Sequence, residues 1–136
     1  MRTPVVLVAG QGDTDSVAGM LLQRPGTLVV EHRFDGHVVR RTTATLRDRE
    51  LITTEDALEL AHGCLACTIR NDLLVLLRKL HRRDGVERIV VHLAPWMEPE
   101  PICWVTTNWP TDGHSPKWSS VRPSLPISSC WTTRNR

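Results

Sequence analysis

Apolar residues run almost without interruption from Pro4 to Ala9, the pattern of a strand buried on both faces, and the polar stretch Gly10 to Asp15 separates it from a helix predicted over Ser16 to Gln23. A second strand is predicted over Gly26 to His32, a third over Val38 to Leu46 at a sheet edge, and a short extended piece over Ile52 to Thr54. Thr54 then reads as an N-cap, with Glu55 and Asp56 in the first turn of a helix that Gly63 ends. Asn71 reads as the cap of a longer helix, in which Leu73, Leu74, Leu76, Leu77 and Leu80 form an apolar stripe and Arg78, Lys79, Arg82 and Arg83 a basic end. Val86 to Leu93 restores a buried strand. Helices between apolar strands predict βαβ units, hence an α/β fold with a mainly parallel sheet flanked by helices.

The pattern stops near Trp104. From Trp104 onward the chain is rich in Ser, Thr and Pro, holds four of the five tryptophans, and carries Pro110, Pro116, Pro123 and Pro126, which exclude a long helix or a central strand. The expectation is a domain over residues 1–103 and an irregular or disordered tail over 104–136. A shifted reading frame in a longer protein would produce such a switch, and a nucleotide sequence with an intact frame across Trp104 would exclude it.

A length of 136 residues allows one modest core. The net charge of +2 belongs to the tail, because residues 1–103 hold 13 Lys and Arg against 14 Asp and Glu. This argues against a general polyanion binder. No apolar run approaches the roughly 20 residues of a membrane span, and the start lacks the pattern of a signal peptide, so a cytoplasmic protein without a membrane partner is expected. In that reducing compartment four cysteines point to metal, redox chemistry or burial rather than to structural disulfides.

Ligands of parallel sheets sit at the carboxyl ends of the strands, which directs attention to the loop Gly10 to Ser16. Gly10, Gly12 and Ser16 resemble parts of a phosphate loop, but Asp15 falls where its second glycine would stand, Ser16 where its lysine would stand, and Val17 where its magnesium-binding hydroxyl would stand. Asp13 and Asp15 add negative charge. Efficient phosphoryl transfer is not expected here, and a plain strand-to-helix turn is the ordinary alternative. A second candidate is Cys64 with Cys67. Their spacing suits zinc, a redox dithiol or simple packing. For zinc, His62 is the nearest third ligand, with Cys103, Glu59, water or a partner protein as further donors.

The run from Gly63 to Leu74, GCLACTIRNDLL, resembles the Gly-Cys-x-Cys-Cys-Thr segment of the CobW-like family of metal-handling P-loop GTPases, in which Arg and Asp-Leu follow. The loop at Gly10 and the turn HLAPWMEPEPI after the last strand support the resemblance, which covers about residues 3–103. It implies a P-loop GTPase-like fold, incomplete here, with zinc and GTP as ligands. Cys64 and Cys67 match the outer family cysteines, while Ala66 replaces the middle one. The resemblance is nearer to a ribosome-associated, two-cysteine branch of the family. That branch implies a non-catalytic, zinc-responsive adaptor that recruits a hibernation factor to the small ribosomal subunit. A zinc metallochaperone that binds GTP and a thiol oxidoreductase are the alternatives.

Under the adaptor reading Arg78, Lys79, Arg82 and Arg83 would contact ribosomal RNA phosphates, although a basic helix terminus is also ordinary. Arg40 and Arg41 read as charges guarding a sheet edge. His32, His37, His81 and His92 read as surface or packing residues. Asp72 and Glu98 would form a carboxylate pair only if the fold brought them together.

Overall fold

The computed structural model describes residues 3–10, 12–60, 64–80, 82–97 and 102, and the backbone of 118–120. The elements are β1 (Val5–Val8), α1 (Thr14–Leu22), β2 (Thr27–Phe34), β3 (Val39–Arg47), β4 (Glu50–Leu58), α2 (Leu65–Leu80), β5 (Arg88–His92) and β6 (Trp118–Ser120). They form one sheet in the order β4-β3-β2-β5-β1-β6. The centre is parallel, with β5 between β1 and β2 and with β6 beside β1. β3 and β4 extend it as antiparallel strands. The α/β class with a largely parallel core is therefore as expected.

Strand alternation builds the core on two faces. Val5, Leu7, Leu28, Val30, Ile89 and Val91 point to one side and pack against Ile69, Leu73 and Leu77 of α2. Val6, Val8, Val29 and Val90 point to the other and pack against Val17, Ala18 and Leu21 of α1. Between α2 and β5 the chain turns at Gly85. Gly26, at the entrance to β2, has φ of 71° and accepts hydrogen bonds from the N–H groups of Glu87 and Arg88 at 2.8 and 3.1 Å. A Cβ there would lie 2.7 Å from Cβ of Glu87, so only glycine fits the approach.

Three parts differ from expectation. The helix predicted from Thr54 to Gly63 is absent over its described part, because Glu50–Leu58 is β4. Asp48 and Arg49, with φ of 49° and 68°, form the two-residue turn of a β3–β4 hairpin. Glu55 and Asp56, read as helix-start acids, pair across strands with Arg40 at 2.9 Å and Arg41 at 2.7 Å. Two residues are too few, and too unlike Asn-Gly, to have marked this turn. The third strand consequently lies inside the sheet, and β4 takes the edge. The long helix also begins earlier than Asn71: the carbonyl of Cys64 accepts from the N–H of Thr68 at 3.1 Å and from its hydroxyl at 2.9 Å, which extends the helix back to Leu65. Asn71 lies inside it, exposed. In the tail, the backbone of residues 118–120 forms a parallel strand against Val5 to Leu7, so that stretch is regular; its other residues lie outside the described ones.

Leu77 is fully buried against the sheet whereas Val75 is half exposed. Leu77→Ala should cost about 2–5 kcal/mol and Val75→Ala no more than about 0.5 kcal/mol, as read by urea unfolding.

Candidate functional site

β1 leads through Gly10, with φ of 132°, to the first turn of α1. The helix starts at Thr14 rather than Ser16 because Asp13 caps it. One Asp13 oxygen accepts from the N–H of Ser16 at 3.1 Å and the other from its hydroxyl at 2.7 Å. The N–H group that a phosphate would need is thus bound to the chain's own carboxylate. Ser16, standing where a phosphate loop has lysine, is engaged in the same contact. The Ser16 hydroxyl, then its N–H, hold the Asp13 carboxyl below its ordinary value of 3.8. With no lysine and two aspartates here, the loop does not fit the outer phosphates of a nucleoside triphosphate.

Beside this turn lies a cleft of about 370 Å³, lined by Gly12, Thr14, Asp15, Glu31, His92 and Trp96 among others. Glu31, within β2, and His92, the last residue of β5, are the final register partners of that ladder. His92 Nε2 lies 2.9 Å from the hydroxyl of Thr14 and 3.8 Å from Asp15, while Nδ1 lies 3.9 Å from Glu31. The expectation that His92 is a packing residue misses this cluster. Its sequence signal is faint: a polar residue directly after the fully buried run of each of two strands, Leu28 to Val30 and Ile89 to Val91.

Cys64 and Cys67 meet at the amino terminus of α2, on the opposite face. They form a disulfide with their Cα atoms 5.2 Å apart, where the sequence pointed away from structural disulfides but left a redox dithiol open for this pair. The bond spans one helical turn, as a dithiol pair does, and does not tie distant parts of the fold together. Cys64 Sγ accepts from the N–H of Cys67 at 3.2 Å, and Arg70 reaches the sulfur of Cys67 at 3.6 Å. A helix amino terminus and a guanidinium both stabilise negative charge on sulfur once the pair is reduced. Both residues are partly exposed. Two sulfur donors converging on one point suit zinc, but they supply only half of a tetrahedral set. His62 and Cys103 lie outside the described residues, and Glu59 is exposed just after β4.

A buried ionic contact ties this helix to the sheet. Asp72, two turns into α2, bonds His32 Nε2 at 2.7 Å and also meets the guanidinium of Arg41, which bridges on to Asp56 at 2.7 Å. Arg41 is only 16 % exposed and sits inside the sheet, so it does not guard an edge. Arg40 does lie on the exposed surface, where it pairs with Asp35 at 3.0 Å as well as with Glu55. Asp72 is partnered by His32 and Arg41; Glu98 and His81 lie outside the described residues. His32 Nδ1 and Arg41 Nε are buried without a hydrogen-bond partner among the described residues. His37 is exposed, its N–H bonded to Asp35 at 3.2 Å. Arg78, Lys79, Arg82 and Arg83 are exposed around the far end of α2, with Arg78 about 20 Å along the axis from Cys64. No helix among the described residues is long and apolar enough to cross a membrane.

A glycine turn after the first strand of a parallel core, leading into a helix, with a cysteine pair at the head of a second helix, is the arrangement of a P-loop type of α/β domain. The sequence profile described as "CobW/HypB/UreG, nucleotide-binding domain" matches residues 29–118, and the chain belongs to that family. It is 79% identical over 104 residues to a protein of Mycobacterium tuberculosis H37Rv named zinc chaperone Rv0106, a match that covers 76% of this chain and 26% of that protein. It is 32% identical over 75 residues to the zinc-regulated GTPase metalloprotein activator 1 of Dictyostelium discoideum, covering 55% of this chain and 14% of the relative. To the zinc chaperone CobW of Sinorhizobium sp it is 29% identical over 93 residues, covering 68% and 23%. The chain thus spans about a quarter of the length of its mycobacterial relative. No solved structure gives a significant match.

Because the folded Asp13 value lies below the unfolded one, its cap stabilises α1 above the ordinary carboxylate range and is lost as pH falls through the depressed value. Ser16→Ala should move the Asp13 titration upward toward 3.8, as followed by carboxyl NMR shifts. Asp72→Ala, which leaves Arg41 and His32 without their shared carboxylate, should destabilise the fold by about 3–5 kcal/mol in urea unfolding.

Proposed function

We propose that this chain is part of a CobW-type zinc metallochaperone, in which the reduced Cys64 and Cys67 hold zinc as cargo. The observation that carries the reading is the convergence of the two sulfurs at the partly exposed head of α2, in a chain of this family. Soft thiolates select zinc over the hard cations of the cytoplasm. A site with two thiolates leaves positions for a recipient's ligands, which suits transfer better than a closed four-cysteine cage does. His62 is the third donor under this reading, with Cys103 or Glu59 next. The disulfide and the zinc-bound form exclude one another, so loading requires the dithiol.

The names of the relatives favour metal handling over the ribosome-associated adaptor. Recruitment of a hibernation factor, and contact of Arg78, Lys79, Arg82 and Arg83 with ribosomal RNA of the small subunit, rest on resemblance alone. GTP hydrolysis at Gly10 to Ser16 is not part of the proposal, since the loop has no lysine and Asp13 occupies the N–H of Ser16. A thiol oxidoreductase would share the disulfide and the contacts that stabilise thiolate; the names of the relatives favour zinc over it.

The test is competition for zinc between the chain, kept in a phosphine reductant, and a chromophoric chelator. One zinc per chain held through sulfur is expected, recognised by the thiolate charge-transfer band of its cobalt(II) form, and it is lost when Cys64→Ser and Cys67→Ser are combined and lost on oxidation. Retention of that zinc by the double variant would reject the reading.

A further inference from the structure

Glu31 and His92 stand opposite each other as the last pair of the β2–β5 ladder, His92 at the carboxyl end of β5 and Glu31 within β2. Alternation sends both side chains to the α1 face, away from the cysteines: Val29 and Val90, two residues earlier on each strand, pack against α1. The first turn of α1 then delivers Asp15 to the same point. One donor atom from each of Asp15, Glu31 and His92 lies within 4.8 Å of the other two, the only such grouping of three among the described residues. Donors bound to one ion at about 2.0–2.2 Å stand roughly 3–4 Å apart, so only a small side-chain contraction is needed. Neither contact from His92 to a carboxylate, Nε2 to Asp15 at 3.8 Å and Nδ1 to Glu31 at 3.9 Å, is short enough to be a hydrogen bond, so neither carboxylate is committed to the ring.

We propose that Asp15, Glu31 and His92 form a second, nucleotide-independent site for a first-row divalent cation. The chemistry of the position has changed sign. A phosphate loop gathers N–H groups and a lysine around an anion; here the same end of the sheet presents Asp13, Asp15 and Glu31 beside an imidazole. One nitrogen and two carboxylate oxygens make a borderline-to-hard donor set, unlike the sulfur pair on the other face. His92 is 7 % exposed, and the Thr14 hydroxyl at its Nε2 fixes the ring, as an outer-shell partner does in metal sites. The adjoining cleft leaves room for water on the remaining coordination positions. Arg33 bonds Glu31 at 2.9 Å from an exposed position and must yield part of that carboxylate.

This site does not depend on the zinc reading, and the test separates them by using the full chain carrying both Cys64→Ser and Cys67→Ser. Cobalt(II) is titrated without nucleotide. One ion per chain is expected, with d–d absorption and no thiolate charge-transfer band. Asp15→Asn, at a residue whose side chain is 83 % exposed, should keep the fold and weaken cobalt binding at least tenfold, and His92→Gln should do the same. Absence of a stoichiometric ion, binding unchanged in both variants, or binding only when GTP is present would each overturn the proposal.

Discussion

Everything in this chain hangs on β5 being paired in parallel on both sides. Ile89, Val90 and Val91 are fully buried between β1 and β2, and no side chain on this strand can turn to water without breaking two ladders. Parallel pairing requires crossovers, and these place α1 and α2 on opposite faces with their amino termini at the same carboxyl end of the sheet. The contact between Asp72 and His32 fixes α2 in that orientation. Both chemical features of the protein, the cysteine pair and the His92 cluster, are consequences of that geometry.

The same geometry explains why a phosphate loop can decay without loss of fold. Its scaffold, the turn at Gly10 and the buried first turn of α1, is held by strand pairing and by Val17, Ala18 and Leu21. Asp13 supplies the helix cap that a bound phosphate would otherwise provide, so the turn is complete without nucleotide. Acidic groups stand at this end of the sheet where a phosphate loop would gather N–H groups and a lysine, and the head of α2 carries the cysteine pair.

Much of this was legible in the sequence where burial was two-sided. The runs at Val5 to Val8 and at Ile89 to Val91 could be nothing but central strands, and the glycine turn and the cysteine spacing were visible as patterns. The β3–β4 hairpin was not, because its strands are exposed or half-buried, show no clean alternation, and carry Thr, Glu and Asp residues that serve as well for helix starts. Nor were the long-range polar contacts. Arg41 with Asp72 and Glu31 with His92 join residues far apart in sequence, and only the register of the folded sheet brings them together. The irregular composition after Trp104 likewise gave no sign that residues 118–120 would pair with β1.

The account turns on whether the carboxyl end of the sheet, at the head of α2, takes metal through sulfur. X-ray absorption at the zinc edge, on the reduced chain loaded with one equivalent, answers this directly. Two sulfur neighbours at about 2.3 Å, completed by nitrogen or oxygen, are predicted. A first shell of nitrogen and oxygen alone would contradict the assignment of Cys64 and Cys67.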